Sequence, residues 1–124
     1  MGLRNVLIAV NDIEKSKEFY KELFGLEVVL EQEGNVMLTE GLVLQQLTIW
    51  REAIGRDVNF QNNATILYFE ETNLEGLLEK LDAYGETIQY VNKVTKLPWG
   101  QKMVRFYDLD GNLIEARTPA IGEV

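Results

Sequence analysis

The chain has 124 residues, 46% of them apolar and 26% charged, which is enough for one globular domain with its own core. Its 20 acidic residues outnumber its 12 basic ones, for a net charge of −8, which argues against a nucleic-acid-binding face and against an anionic membrane surface. It has no cysteine and no histidine, so disulfides, thiol nucleophiles, thiolate metal sites and imidazole bases are all excluded.

The first predicted element is a strand over the β-branched run Asn5 to Val10. Asn11 and Asp12 break it and are positioned to cap a helix. Ile13, Ser16, Phe19, Tyr20 and Leu23 recur at helical spacing, charged residues fill the other faces, and Gly25 supplies a left-handed stop. Leu26 to Glu33 reads as a strand, Gly34-Asn35 as a turn and Val36 to Thr39 as a strand. Glu40-Gly41 is a second turn, and Leu42 to Trp50 reads as a longer strand.

Residues 51–63, with Gly55 and the polar stretch Asn59 to Asn63, read as a short helical turn and a linker. The same order then repeats. Thr65 to Glu70 is strand-like, and Thr72 with Glu75 fits a capping box. Leu74, Leu77, Leu78, Leu81 and Tyr84 form a helical stripe that Gly85 closes. Glu86 to Val94 reads as a strand, Thr95 to Lys102 as a loop carrying Pro98-Trp99-Gly100, and Met103 to Tyr107 as a strand. Asp108 to Gly111 is a hairpin turn, with Asn112 to Arg117 the last strand. Each half is thus strand, helix and three strands. The division is a first module over 1–50, a linker over 51–63 and a second module over 64–124, all within one domain.

The apolar run Val6 to Val10 is too short for a secretory signal and lacks a cleavage site, and no run approaches the roughly 20 residues of a membrane span. The expectation is a cytoplasmic protein.

Val10 to Ser16, Phe19-Tyr20 and Leu23 to Leu26 resemble the opening module of the vicinal-oxygen-chelate superfamily, the fold of glyoxalases, bleomycin-resistance proteins and extradiol dioxygenases. Pro98 to Gln101 and Phe106 to Glu115 resemble its closing module. The resemblance implies an α+β fold of two tandem βαβββ modules forming a curled, eight-stranded mixed sheet, with helices on the convex face and a ligand cavity on the concave one. Metal-dependent members hold a divalent ion with two His (or His and Glu or Gln) and two Glu. The matching positions here are Asn5, Gln45, Ile66 (or Thr65) and Glu115, of which only Glu115 is a charged ligand. The expectation is therefore no metal and no cofactor. Family chemistry that needs a Lewis acid loses its basis with the metal.

Strand alternation names what faces the cavity. Asn5, Leu7 and Ala9 share a face, as do Val43, Gln45, Leu47 and Ile49. So do Ile66, Tyr68 and Glu70, and Leu113, Glu115 and Arg117. The family pattern adds Gln101, Met103 and Arg105. The ligand-binding set expected is Gln45, Tyr68, Glu70, Trp99, Met103, Arg105, Glu115 and Arg117. Arg105 and Arg117 either clamp a carboxylate or phosphate or pair internally with Glu115 and Glu70. Glu70 and Glu115 would form an acid–base couple if one were desolvated, and Trp50 and Trp99 either wall the cavity mouth or serve as core or dimer contacts. The leading functional reading is a metal-free small-molecule binder, a homodimer like the antibiotic-sequestering members. The alternatives are a lactoylglutathione-lyase-like or dioxygenase-like enzyme with a degenerate metal site, and a non-catalytic structural or regulatory domain.

Overall fold

A computed structural model describes residues 1–84 and 88–120. The chain divides into two compact units, residues 1–60 and 61–124. Unit 1 contains β1 (Val6–Val10), α1 (Ile13–Phe24), β2 (Val28–Gln32), β3 (Asn35–Leu38), β4 (Leu42–Gln46) and α2 (Leu47–Ile54). Unit 2 contains β5 (Ile66–Glu70), α3 (Leu74–Ala83), β6 (Tyr90–Lys96), β7 (Lys102–Tyr107) and β8 (Leu113–Arg117). Each unit carries one four-stranded mixed sheet, ordered β1-β4-β3-β2 in the first and β5-β8-β7-β6 in the second. The first and last strands of each module pair in parallel, and the remaining pairs are antiparallel. The chain is thus an α+β protein of two tandem βαβββ modules.

In unit 1 the expected caps hold. Asp12 accepts the backbone N–H of Lys15 at 3.1 Å, and Gly25 ends α1 at φ 67°. Phe19, Tyr20 and Leu23 of α1 are buried, and so are Ile8, Val10, Val36, Leu38 and Leu44 on one side of the sheet. Burying each such side chain contributes about 1.5–3 kcal/mol. On the helix's outer edge Lys17 bridges Glu31 at 2.8 Å and Glu14 at 2.9 Å. Hydrogen bonds to Glu31 and then Glu14 hold its ammonium above the usual lysine range.

One expected strand is cut short. β4 stops at Gln46, and Leu47 starts α2, so the strand over Leu42 to Trp50 is corrected. The backbone N–H of Gln46 donates to the Gly34 carbonyl at 2.8 Å, and its side-chain amide donates to the Asn11 carbonyl at the same distance, which pins the strand end. Leu47 then buries as the first helical residue, and Gly55 closes the helix in the left-handed region at φ 64°. Leu47 and Ile49 accordingly leave the strand face on which alternation places them. Trp50 lies within α2 in unit 1, at the position where the first module was expected to end.

In unit 2 the cap of α3 is Asn73 rather than Thr72. Asn73 Oδ1 accepts the Gly76 N–H at 3.0 Å, and asparagine is among the strongest N-cap residues. The closing Gly85, and the first two residues of the strand expected from Glu86, lie outside the described residues. β6 runs on to Lys96, so the loop begins later than expected, at Leu97. The core consists of Leu74, Leu77 and Leu81 with Val104, Phe106, Ile114 and Ala116.

The β7–β8 turn is built as expected around Asp108. Its Oδ1 accepts the N–H of Asp110 at 2.9 Å and of Asn112 at 2.8 Å, and its Oδ2 accepts the Asn112 side-chain amide at 3.0 Å. Gly111 sits at φ 82°, and a Cβ there would lie 2.4 Å from Gln61 Cγ. This turn sets the register of β7 against β8. Asp108→Ala should therefore destabilise the protein by about 2 kcal/mol, through the orphaned backbone donors. Urea unfolding checks it, and an unchanged midpoint would show that the turn holds without its carboxylate.

Candidate binding face of the second unit

The register of β7 on β8 sets Met103 opposite Arg117 and Arg105 opposite Glu115. β8 on β5 sets Glu115 beside Tyr68 and Arg117 beside Glu70. Residues paired across a sheet share a face. The face opposite Phe106 and Ile114 therefore carries Tyr68, Glu70, Met103, Arg105, Glu115 and Arg117 together, as alternation and, for Met103 and Arg105, the family pattern lead one to expect.

Glu115 is the centre of this face. Its side chain is only 4% exposed, and each of its oxygens is taken by an arginine. Arg105 Nε donates to Oε1 at 2.5 Å, and Arg117 Nε donates to Oε2 at 2.7 Å. A buried carboxylate needs such partners, because the desolvation it suffers is worth several kcal/mol. The arginines are themselves held. Arg105 Nη1 donates to Asn92 Oδ1 at 3.0 Å. Arg117 Nη1 reaches Gln101 Oε1 at 3.4 Å, and its guanidinium lies 5.2 Å from the Tyr68 ring centroid and 5.9 Å from that of Trp99. Trp99 Nε1 donates to the same Gln101 oxygen at 2.7 Å, while the Gln101 amide donates to the Thr118 carbonyl at 2.8 Å.

The expected residues divide accordingly. Tyr68, Trp99, Arg105, Glu115 and Arg117 come together, with Met103 buried on the same face. Glu70 lies beside Arg117 in register but makes no ion pair among the described residues, so both arginines choose Glu115. An acid–base couple with Glu70 gains no support, since both Glu115 oxygens are committed to guanidinium groups. Gln45 belongs to unit 1, where its amide donates to Asn35 Oδ1 across β3 and β4 at 2.8 Å. Asn92 and Gln101 are the residues that the ligand-binding set missed. Gln101 shares the parity of Met103 and Arg105, which is a usable signal. Asn92 has none, because β6 shifts register on both sides of it. On the neighbouring core side, burial and then Asp82 push the Tyr90 hydroxyl above its usual range.

The four positions that match a family metal site do not fit a divalent cation. Ile66 has no donor atom, Asn5 and Gln45 offer neutral amides, and Glu115 has both oxygens engaged by cations. Among the described residues no group of three or more carboxylates is placed to hold a metal ion.

The network's dependence on Glu115 is testable. Removing one member of a buried ion pair costs about 3–5 kcal/mol, and the partial exposure of both arginines puts Glu115→Ala at the lower end of that range. Arg105→Ala should cost less, because its side chain is 30% exposed and water replaces part of the lost contact. Denaturant melts of the two variants check this order, and the reverse order would show that Glu115 is not the keystone.

Comparison with known proteins places the chain. Residues 3–120 match the family model described as a glyoxalase-like domain. No curated protein sequence matches the chain. Among solved structures, a protein of unknown function from Agrobacterium tumefaciens is similar at TM-score 0.81 and 23% identity, over 96% of this chain and 94% of that one. A glyoxalase-related enzyme from Fulvimarina pelagi is similar at TM-score 0.79 and 22% identity, over 95% and 88%. A glyoxalase/bleomycin resistance protein/dioxygenase from Nocardioides is similar at TM-score 0.70 and 19% identity, over 99% and 87%. Identities this low speak for the fold alone, but the family model spans nearly the whole chain, and this protein belongs to the glyoxalase-like domain family within the vicinal-oxygen-chelate superfamily.

Proposed function

We propose that this protein is a metal-free small-molecule binder that uses the open sheet face of its second module. One observation carries the reading. The only carboxylate at a family metal position, Glu115, serves as counter-ion to two arginines. A second consideration supports it. A desolvated ion triad gains little net stability over well-packed apolar side chains, so its presence on a partly open face favours a recognition role.

The competing reading, an enzyme with a degenerate metal site, makes the opposite prediction. Protein purified without added ions and exhaustively dialysed should contain well under one equivalent of nickel, zinc, manganese or iron by elemental analysis. A stoichiometric ion that survives dialysis would sink the metal-free reading. Thermal-shift screening against a panel of metabolites and antibiotics tests binding itself. A ligand at 100 times its Kd should stabilise the fold by about 2.7 kcal/mol. A panel that moves nothing would favour a purely structural or regulatory domain.

The protein acts as a homodimer in this reading. The edge strand β2 exposes Val28, Val29 and Leu30, and exposed apolar edges are normally covered. Light scattering coupled to size exclusion should give twice the chain mass, and Val29→Lys should shift it toward one. A monodisperse monomer at micromolar concentration would exclude the dimer.

A further inference from the structure

We propose that the second module's binding face selects ligands that carry an oxyanion on an aromatic ring. This rests on the small-molecule-binding reading above and specifies the ligand class.

The charge argument comes first. Two guanidinium groups share one carboxylate, so the Arg105–Glu115–Arg117 cluster itself carries one positive charge in excess. The face's other acid, Glu70, lies beside Arg117 in register without forming an ion pair among the described residues, which brings the face as a whole to neutrality. The protein as a whole is strongly acidic, at −8. Its distant carboxylates are screened over a Debye length of about 8 Å at physiological salt, so the arginine cluster and Glu70 govern what docks there.

The donor argument comes second. A guanidinium has five N–H donors. Arg105 and Arg117 each spend Nε on Glu115 and use Nη1 on an amide oxygen, Asn92 and Gln101 respectively. Nη2 of each has no hydrogen bond among the described residues. The two side chains are 30% and 21% exposed, so these donors have a route to solvent and to a ligand. Glu115 fixes both groups by their Nε atoms. The remaining donors are thus pre-oriented, and an incoming oxyanion need not pay to order them.

The third argument concerns shape. Tyr68 and Trp99 are 53% and 57% exposed, and both lie within cation–π range of Arg117. Trp99 is tied by its indole N–H to Gln101. Two exposed rings around one cation offer a planar ligand stacking surface beside its anionic group. An oxyanion answers the arginine donors that the internal network leaves unspent, and an aliphatic anion would leave the rings uncovered.

Isothermal titration of the full-length protein with four probes tests this: 2-naphthoate, 2-naphthyl phosphate, 2-naphthamide and acetate. The naphthoate should bind about tenfold tighter than the neutral amide, the worth of one charge-assisted hydrogen bond. It should also bind at least about tenfold tighter than acetate, from ring stacking and burial. The ratio of naphthoate to naphthyl phosphate assigns the oxyanion as carboxylate or phosphate. Arg117→Met should remove the preference over the amide, and Arg117→Lys should restore part of it. Trp99→Ala, on an exposed loop, should weaken naphthoate and naphthamide alike by about fivefold. Equal affinity for naphthoate and naphthamide would overturn the inference and leave the small-molecule reading standing. So would naphthoate binding that is indifferent to both Arg117→Met and Trp99→Ala. Failure of both aryl anions to bind would overturn it as well, and joined with a silent thermal-shift panel would remove the binding reading too.

Discussion

A carboxylate stripped of water has to be answered by other charges or hydrogen bonds, and in the second unit that requirement organises a whole sheet face. Glu115 sits on β8 with almost no solvent. Arg105 reaches it from β7, and Arg117 reaches it along its own strand. Asn92 brings β6 into the network, Gln101 brings in the 97–101 loop, and Tyr68 joins from β5 through the ring of a cation–π contact. Every strand of the sheet thereby contributes to holding a single ion in place. If β7 slipped by one residue on β8, Arg105 would turn to the opposite face and Glu115 would lose a partner. The Asp108 turn that sets this register is therefore part of the same device.

The first unit carries the neutral version of this arrangement. Gln45 on β4 pairs in register with Ala9 on β1 and Asn35 on β3, as Glu115 pairs with Tyr68 and Arg105. Its amide meets Asn35 where Glu115 meets Arg105. Two modules with one backbone plan thus place a polar cross-strand contact at the same node, uncharged in one and ionic in the other. The next position on that face breaks the likeness, since the chain becomes helix α2 at Leu47 but remains strand through Arg117.

Much of this was legible in the sequence. The helix stripes, the Asp12 cap, the Asp-Gly turn and the doubled strand order all follow from local periodicity and turn chemistry. Period-two alternation placed Glu115 and Arg117 on one face, and the resemblance to the family added Arg105. Beyond the shifted cap of α3 and the longer β6, three features escaped, each for its own reason. The run Leu42 to Trp50 is apolar and partly β-branched, so nothing in its pattern separates strand from helix. The change at Leu47 is imposed by the contacts of Gln46 with Gly34 and Asn11. The choice of Glu115 over Glu70 depends on burial, which alternation does not rank. Asn92 was hidden because bulges in β6 uncouple sequence parity from facing direction.

The 97–101 loop has a bearing on how such a protein diversifies. Its ends are tied to each other by the Leu97 N–H on the Gln101 carbonyl at 2.7 Å, with Gly100 turned back on Leu97 at 2.9 Å. Gln101 is buried and belongs to the framework, whereas Trp99 projects outward. A segment sealed off in this way can exchange its central residue while the strands on either side keep their register. Selection in a lineage, or a library built at position 99, can therefore retune what the face accepts one residue at a time, at the expense of the indole's hydrogen bond to Gln101 and its contact with Arg117.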